Sequence, residues 1–202
     1  MGMGTFMRFS YLLMTILILL GCRSNENNDA NSNNSPYGKW EVCDYKDDFG
    51  KPTGKKFVRQ IVSGTFSNSA TISSPLMAYV FLYQYDYNGD YSIDGEIYFD
   101  EYDNLVKDWK IFQDASPSEY CKIVDNTNKR VFEKANRYIY FAENGVKDKS
   151  YRWIDIFVRY PSKYSVTIKG EHNTMYYFDI DTEKLPEALT AANIKSENPN
   201  DR

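Results

Sequence analysis

The sequence predicts an all-β fold, an antiparallel β-sandwich or barrel-like domain with a short C-terminal helix. Aromatic residues make up 16% of the chain, and 18 of them are tyrosines. This favours strands, because aromatic side chains suit a half-buried pleated surface. From residue 37 onward, short runs of alternating apolar and polar residues are separated by turn-forming residues. This spacing is typical of sandwiches and barrels, and it lacks the alternation of strands and helices that builds a parallel sheet.

Residues 1–21 have the pattern of a secretory signal peptide. Arg8 is their only charged residue, and it precedes a nearly unbroken apolar run from Phe9 to Leu20. That run has twelve residues, whereas a transmembrane helix needs about 20. A short apolar core after a basic start indicates secretion.

The segment Leu19-Leu20-Gly21-Cys22 resembles the lipobox of bacterial lipoproteins. In that family the cysteine thiol is linked to diacylglycerol, the chain is cut just before it, and the new amine is usually acylated, as with palmitate. The resemblance implies that Cys22 is lipidated and that a membrane of the cell envelope, the outer membrane, is a partner. One alternative is an ordinary signal peptide in which Cys22 is incidental. Another is myristoylation of Gly2, for which Phe6 stands where Ser or Thr is expected.

The segment after Cys22 is predicted to be a flexible tether. Residues 23–35 include six asparagines and three serines, and Ala30 is their only hydrophobic member. Such a segment buries too little apolar surface to offset its ordering entropy, so we expect disorder. Glu26 and Asp29 resemble the short signals that send some lipoproteins to the cell surface. Which face of the outer membrane the protein occupies is left open. The chain is therefore divided into a signal peptide (1–21), a lipidated cysteine with linker (22–35), a β domain (36–196) and a disordered tail (197–202).

Charge and cysteine content limit the partners and the chemistry. Without the signal peptide Arg8 is lost, so 23 basic residues stand against 28 acidic ones and the net charge changes from −4 to −5. This argues against nucleic acid as a partner, since that requires a basic stripe. Cys43 and Cys121 can close a disulfide in an oxidising envelope, and two buried thiols are the alternative. Catalytic cysteine chemistry is disfavoured because His172, the only histidine, has no recognisable partner motif.

In the first half of the domain, alternation and turn residues predict five strands. Asp47 to Gly54 is dense in turn formers and should be a loop, and Asn88-Gly89 is a hairpin signal. Gly64 and Ser74-Pro75 are expected to interrupt strands. The predicted strands are 39–44, 56–63, 65–73, 76–85 and 91–100.

The second half adds shorter strands and the one clear helix. Residues 183–195 have a helical pattern, with Asp181 or Thr182 as the cap and Pro186 near the start. Tyr151 to Tyr160 stays ambiguous, because its aromatic residues fit helical spacing and its β-branched residues fit a strand. The strand candidates are 106–112, 120–124, 130–132, 137–142, and a last hairpin of 163–169 with 174–180.

The stretch from Asp47 to Leu76 resembles a group of β-rich proteins from Gram-negative bacteria that have no established activity. The matching phrases are D-D-F-G-K-P-T-G-K-K-F-V-R and G-T-F-S-N-S-A-T-I-S-S-P-L. Glu101-Tyr102-Asp103-Asn104 and the closing Tyr177-Phe178-Asp179-Ile180 extend the match. The resemblance implies a common fold from about Trp40 to Leu189 and implies no mechanism.

Asp90 to Glu101 fits the spacing of an EF-hand calcium loop, in which about six to eight oxygens surround one ion. The segment before it has a strand pattern where a helix is required, so an acidic hairpin explains the same residues. We expect no metal and no other cofactor, with calcium at this loop as the alternative. The candidate ligands are Asp90, Ser92, Asp94 and Glu101.

No catalytic residue is predicted. Gly64 to Thr71 offers four hydroxyls, but it lacks a strand–turn–helix elbow and a nearby base, so a polar strand or loop is preferred. His172 falls in a predicted hairpin turn. With 28 acidic residues, carboxylate pairs of some separation are guaranteed, so the sequence nominates no glycosidase pair.

Tyrosines concentrate around the hairpin signal at Asn88-Gly89. Exposed aromatic rings on a rigid β scaffold bind flat ligand faces such as sugars, or partner proteins. Strand alternation sends about half of such a set to the core, so ordinary packing is the alternative. These tyrosines are Tyr79, Tyr83, Tyr85, Tyr87, Tyr91, Tyr98 and Tyr102.

The sequence favours an envelope lipoprotein that works as a non-catalytic binding module for a glycan or protein ligand. One alternative is an envelope hydrolase that acts on glycan or peptide. Another is an inhibitor or immunity-type protein that blocks a second protein. A clustered patch of rings without a carboxylate-lined cleft would favour binding.

Overall fold

The computed structural model describes residues 38–70, 73–87, 90–101, 104–107, 121–134, 140–144, 146–169 and 174–195. The predicted signal peptide, the lipid site at Cys22, the linker and the tail lie outside these residues. Asn88-Gly89 and His172 also lie outside them.

The described residues form one antiparallel sheet and two short helices. The sheet curls into a half-barrel, so the all-β, barrel-like fold with a C-terminal helix is confirmed. The strands are β1 Glu41–Lys46, β2 Pro52–Ser67, β3 Ser74–Tyr87, β4 Asp90–Glu101, β5 Asn104–Lys107, β6 Cys121–Asp125, β7 Val131–Lys134, β8 Tyr140–Glu143, β9 Val146–Arg152, β10 Lys163–Lys169 and β11 Met175–Asp181. The helices are α1 Trp153–Arg159 and α2 Leu185–Ala191.

Strand β2 organises the sheet. The order is β5-β4-β3-β2-β11-β10-β6-β7-β8-β9, and β1 pairs with the first part of β2. β2 has 16 residues and pairs with β3 on one edge and with β1 and β11 on the other. The β2–β11 pairing joins the first five strands to the last six.

Gly64 lies where β2 meets β11, and it does not interrupt β2 as predicted. A Cβ at this position would lie 2.2 Å from the carbonyl oxygen of Tyr177 and 2.8 Å from the Cβ of Phe178. The glycine is therefore required by close approach of two strands. The predicted break at Ser74-Pro75 is also wrong, because β3 begins at Ser74 and Pro75 pairs with Thr65. A proline is tolerated so near the start of a strand.

Side chains alternate between the two faces of the sheet. On β10 and β11 every second residue is buried, and the residues between are more exposed. The buried side, which we call the inner face, forms one core cluster with both helices. The helices contribute Trp153, Ile154, Ile156, Phe157, Leu185, Ala188 and Leu189 to that cluster.

The ambiguous stretch 151–160 forms the end of β9 followed by α1. Asp155 caps this helix, since its Oδ2 accepts the backbone N–H of Arg152 at 3.3 Å. The sequence did not predict β9 because residues 146–150, V-K-D-K-S, have no apolar alternation. The predicted C-terminal helix is shorter than expected, and Asp181 Oδ1 accepts the N–H of Glu183 at 2.9 Å just before it.

Arg152 connects the two ends of the half-barrel. Asp155 orients its guanidinium, with Oδ1 3.1 Å from Arg152 Nη2. The same Nη2 donates to the carbonyl oxygen of Ile93 in β4 at 3.1 Å, and Nη1 lies 3.8 Å from Asp94 Oδ1. Because β9 ends the strand order on one side and β4 is next to last on the other, this side chain spans the gap between them.

The predicted disulfide between Cys43 and Cys121 is not formed. Cys121 is a buried thiol in β6. Cys43 pairs directly with Phe57 of β2. Cys121 is in register with Phe66 of β2 through the intervening strands β10 and β11. These positions are about 30 Å apart along β2 at about 3.3 Å per residue, far more than the roughly 4.4–6.8 Å between the Cα atoms of a disulfide.

The side chain of Asp125 links the predicted turn after β6 to the loop before β10 through hydrogen bonds. Its side chain is fully buried and accepts hydrogen bonds from the backbone N–H of Asn128 at 2.9 Å, the hydroxyl of Ser162 at 2.7 Å and Arg130 Nη2 at 2.8 Å. Burial alone raises the pKa of Asp125, but these hydrogen bonds outweigh burial and hold the pKa well below its usual range.

Asp125→Asn is expected to lower the free energy of unfolding by about 3–5 kcal/mol, because Arg130 loses a buried charged partner. Since the folded pKa of Asp125 lies below the unfolded value of about 3.9, its stabilisation is complete above that value and is lost as the pH falls below it. Urea unfolding of wild type and variant from neutral to acidic pH tests both effects. The wild type should lose more stability in acid than the variant.

Asp47→Asn is the control for this experiment. Asp47 Oδ1 accepts the backbone N–H groups of Phe49 and Lys51 in a surface turn, and asparagine keeps that acceptor. We expect a change below about 0.5 kcal/mol. Equal destabilisation by the two substitutions would contradict the role assigned to Asp125.

Candidate functional site

The outer face of the sheet, opposite the helices, carries a second cluster of aromatic rings. Buried rings lie close to the strands, and partly exposed tyrosines pack against them. We call this set, on β1 to β4, the outer patch. Its buried members are Cys43, Phe57, Phe81 and Tyr98, and its partly buried members are Tyr45, Tyr79 and Tyr83.

Strand register brings the rings of the outer patch together. Phe57 lies opposite Cys43 of β1 on one side and opposite Tyr83 of β3 on the other. The ring centroids are 4.9 Å apart for Tyr45–Phe57, 6.0 Å for Phe57–Phe81 and 5.7 Å for Phe81–Tyr98. These separations are those of interacting aromatic pairs, so the rings form a continuous row across four strands.

Glu96 places a carboxylate among the tyrosines of the outer patch. It lies opposite Phe81 in the β3–β4 pairing, and its Oε2 accepts a hydrogen bond from the hydroxyl of Tyr98 at 2.6 Å. Burial, and then the negative charge of Glu96, raise the pKa of Tyr45 and of Tyr83 well above the usual range. Both hydroxyls therefore stay protonated at physiological pH and can donate hydrogen bonds.

An ion pair borders the outer patch. Arg59 Nη2 lies 2.6 Å from Glu41 Oε2, and the side chain of Arg59 is only 9% exposed. The two residues are directly opposite each other in the β1–β2 pairing. Ring faces, hydroxyl donors and carboxylates together suit a polar ligand that has a flat apolar surface.

The structure brings three of the predicted tyrosines, Tyr79, Tyr83 and Tyr98, into the outer patch. Tyr85 and Tyr91 are 47% and 45% exposed. The side chain of Tyr87 and all of Tyr102 lie outside what the structure describes. Sequence reasoning missed the ring members outside that hairpin, Tyr45 and Phe57. The alternation in the first two predicted strands was the available signal, but their register is set by non-local pairing.

The calcium-loop candidates do not surround one point. Asp90, Ser92, Asp94 and Glu101 lie along β4, which pairs with β3 over nearly its whole length. At about 3.3 Å per residue, the first and last of them are roughly 36 Å apart, so these residues form an extended strand and not the loop of an EF-hand. Within the described ranges, no group of three or more His, Cys, Asp or Glu side chains could hold a metal.

The hydroxyl-rich stretch that begins at Gly64 is mostly strand. Residues 64–67 complete β2, and Asn68 Oδ1 then accepts the N–H of Ala70 at 2.9 Å in a turn. Thr71 lies outside the described residues. The structure thus gives a strand and a turn where a serine nucleophile would require a strand–turn–helix elbow.

Comparison with protein-family models, with curated proteins and with solved structures finds no match. The resemblances at Leu19–Cys22 and at Asp47–Leu76 therefore remain predictions. In the part of the chain that the structure describes, no helix is both long enough and apolar enough to cross a membrane.

Glu96→Gln is expected to lower the pKa of Tyr45 and Tyr83, because it removes a negative charge that raises them. In an ultraviolet titration of tyrosinate absorbance, the last tyrosines to ionise should do so at lower pH in this variant than in wild type. Glu133→Gln is the matched control, since Glu133 is half exposed on β7 and lies 3.7 Å from Lys122. An unchanged alkaline titration in Glu96→Gln would contradict the role assigned to this carboxylate.

Proposed function

We propose that this protein is a lipid-anchored envelope protein whose outer patch binds a glycan or protein ligand without catalysing a reaction. The observation that carries the proposal is the placement of Tyr45, Tyr79 and Tyr83 over buried rings on the face away from the main core. A one-sided antiparallel sheet is normally polar on its outer face. Apolar rings there favour a binding surface.

The chemistry of the outer patch suits recognition. Tyrosine supplies a large contact area with only two side-chain torsions to immobilise, and it can also donate a hydrogen bond. The row from Tyr45 to Tyr98 is held by ring contacts across four strands, so little ordering remains to be done on binding. Rigid aromatic residues of this kind are enriched at protein interfaces.

The same patch gives less support to a hydrolase. Asp94 and Glu96 lie on the same side of β4, facing the outer patch, about 7 Å apart. Glu96 accepts a hydrogen bond from Tyr98, while Asp94 Oδ1 accepts the N–H of Gly95 at 3.0 Å and lies 3.8 Å from Arg152 Nη1. Turnover of a glycan or peptide by the purified chain would replace the binding proposal. An inhibitor or immunity-type role, in which the protein blocks a second protein, stays a separate alternative.

The proposed anchor at Cys22 is compatible with an accessible outer patch. The described domain begins at Gly38, whose N–H donates to the carbonyl oxygen of Ile61 at 2.8 Å. The carbonyl oxygen of Gly38 accepts from Gln60 Nε2 at 2.9 Å. Gln60 is fully buried and lies between Val58 and Val62 on the inner face of β2. The chain therefore enters the domain on the side opposite the outer patch.

The cysteine count sets a chemical condition on this anchor. The sequence has three cysteines, and Cys22 is the one outside the described residues. A thioether at Cys22 uses the sulfur that a disulfide would need. Because Cys121 is a thiol, a disulfide between Cys22 and Cys43 would exclude lipidation of Cys22 in the same molecule.

Labelled palmitate is expected to enter the wild-type protein and not the Cys22→Ser variant. The lipidated protein, denatured without reduction, should alkylate at both Cys43 and Cys121. Cys121→Ser is the control and should keep the label. An unlabelled protein with a single alkylated thiol would show that Cys22 is held in a disulfide, and it would contradict the anchor.

Tyr83→Ala in the mature Cys22→Ser chain is expected to weaken ligand binding by about tenfold or more, because it removes an interface ring. Glycan arrays and cross-linking to envelope proteins identify the ligand, and titration then gives the affinity. Tyr83→Phe should keep most of the affinity. Tyr140→Ala, at a tyrosine that is 40% exposed on β8, is the matched control. If both Tyr83→Ala and Tyr45→Ala bind the ligand with wild-type affinity, the outer patch is not the binding surface.

A further inference from the structure

The outer face continues beyond the outer patch onto β10 and β11, where its exposed side chains are polar. Ser165 lies opposite Asp179, and Thr167 lies opposite Tyr177. Tyr177 is 45% exposed, and it is the exposed aromatic ring of this pair of strands. Tyr177 also pairs with Thr65 of β2, so this polar row lies on the same face as the outer patch.

The polar groups beside Tyr177 are held in one hydrogen-bonded network. Asn126 Nδ2 donates to Ser165 Oγ at 2.9 Å, and Ser165 Oγ donates to Asp179 Oδ1 at 2.6 Å. The hydroxyl of Tyr177 lies 3.3 Å from the same Asp179 Oδ1. These contacts fix the orientation of the Asp179 carboxylate next to the ring. Its second oxygen, Oδ2, accepts no hydrogen bond from the described residues, so it can accept from a ligand.

We propose that Tyr177, Asp179, Ser165 and Asn126 form a carbohydrate subsite, and that the ligand of the outer face is a neutral or amino sugar chain. A pyranose ring has an apolar C–H face bordered by hydroxyls. The exposed ring of Tyr177 can stack on that face while the fixed carboxylate of Asp179 accepts sugar hydroxyls. The inference rests on the proposed binding function and names its ligand class.

Charge selects among sugars at this subsite. Asp179 is exposed, and Lys163 on the neighbouring strand has its Nζ 3.9 Å from Asp181 Oδ2. An acidic sugar would bring its carboxylate against Asp179, whereas an amino group would be attracted to it. The subsite should therefore disfavour uronic acids.

The network does not fit a serine hydrolase. The hydroxyl of Ser165 donates directly to a carboxylate, with no imidazole between them to take a proton and return it. Ser165 is instead a positioning residue that orients Asp179. Exposed hydrogen bonds of this kind contribute little to folding stability, so substitutions here are expected to leave the fold intact.

The test uses the mature Cys22→Ser chain on an array of defined neutral, amino and acidic oligosaccharides. We expect retention of neutral or amino sugars. Tyr177→Ala should weaken binding of the retained sugar by about tenfold, and Asp179→Asn should weaken it severalfold. Tyr177→Phe should bind nearly as wild type. Tyr140→Ala serves again as the exposed-tyrosine control, and circular dichroism with thermal unfolding verifies the fold of each variant.

Three results would overturn the inference. The first is that no sugar on the array is retained. The second is that Tyr177→Ala and Asp179→Asn bind the retained sugar as well as Tyr140→Ala does. The third is capture of a protein ligand that depends on Tyr83 and not on Tyr177, in which case the proposed binding function stands and its carbohydrate form falls. If substitution of Tyr45, Tyr83 and Tyr177 to alanine leaves ligand binding unchanged, both the proposed binding function of the outer face and its carbohydrate form are ruled out.

Discussion

The short pairing between β2 and β11 holds the two parts of this chain in one sheet. β1 to β5 pair with sequence neighbours, and β6 to β11 pair among themselves. Among the described strands, the contact from Gly64–Phe178 to Ser67–Met175 is what joins the two sets. Its partners are more than a hundred residues apart in sequence, so chain entropy opposes it, and the buried core on both sides must offset that cost. Gly64 permits the close approach.

In this arrangement the two faces of the sheet have different roles. The inner face and the two helices share one apolar cluster, which accounts for most of the burial in the described domain. The side chains of the outer face are therefore not needed to pack the main core. It carries the aromatic row with Glu96 at one end and the hydrogen-bonded row around Tyr177 and Asp179 at the other. Both rows depend on strand register, and the second also includes Asn126 from the turn after β6.

Local signals in the sequence were sufficient where the structure is local. The hairpin of β10 and β11 follows directly from alternation, and the turn at Asp125 to Asn128 follows from its Asx chemistry. Gly64 was misread as an interruption because the reason for it is Tyr177, a distant neighbour that only the sheet reveals. The spacing of Asp90 to Glu101 fits a calcium loop and equally an extended strand, and spacing alone does not separate the two. The outer patch could be foreseen as an excess of tyrosine, but Tyr45 and Phe57 join it through pairing between strands.

Among the described strands, a side chain and not a ladder of backbone hydrogen bonds connects the two ends of the half-barrel. Arg152 reaches from β9 to Ile93 and Asp94 of β4. A ladder closes a sheet cooperatively and is nearly indifferent to ions, whereas a charge-assisted latch at the protein surface weakens as salt screens it. The link between β9 and β4 in this region therefore depends on one side chain, and its ion pair with Asp94 is the part that salt can weaken.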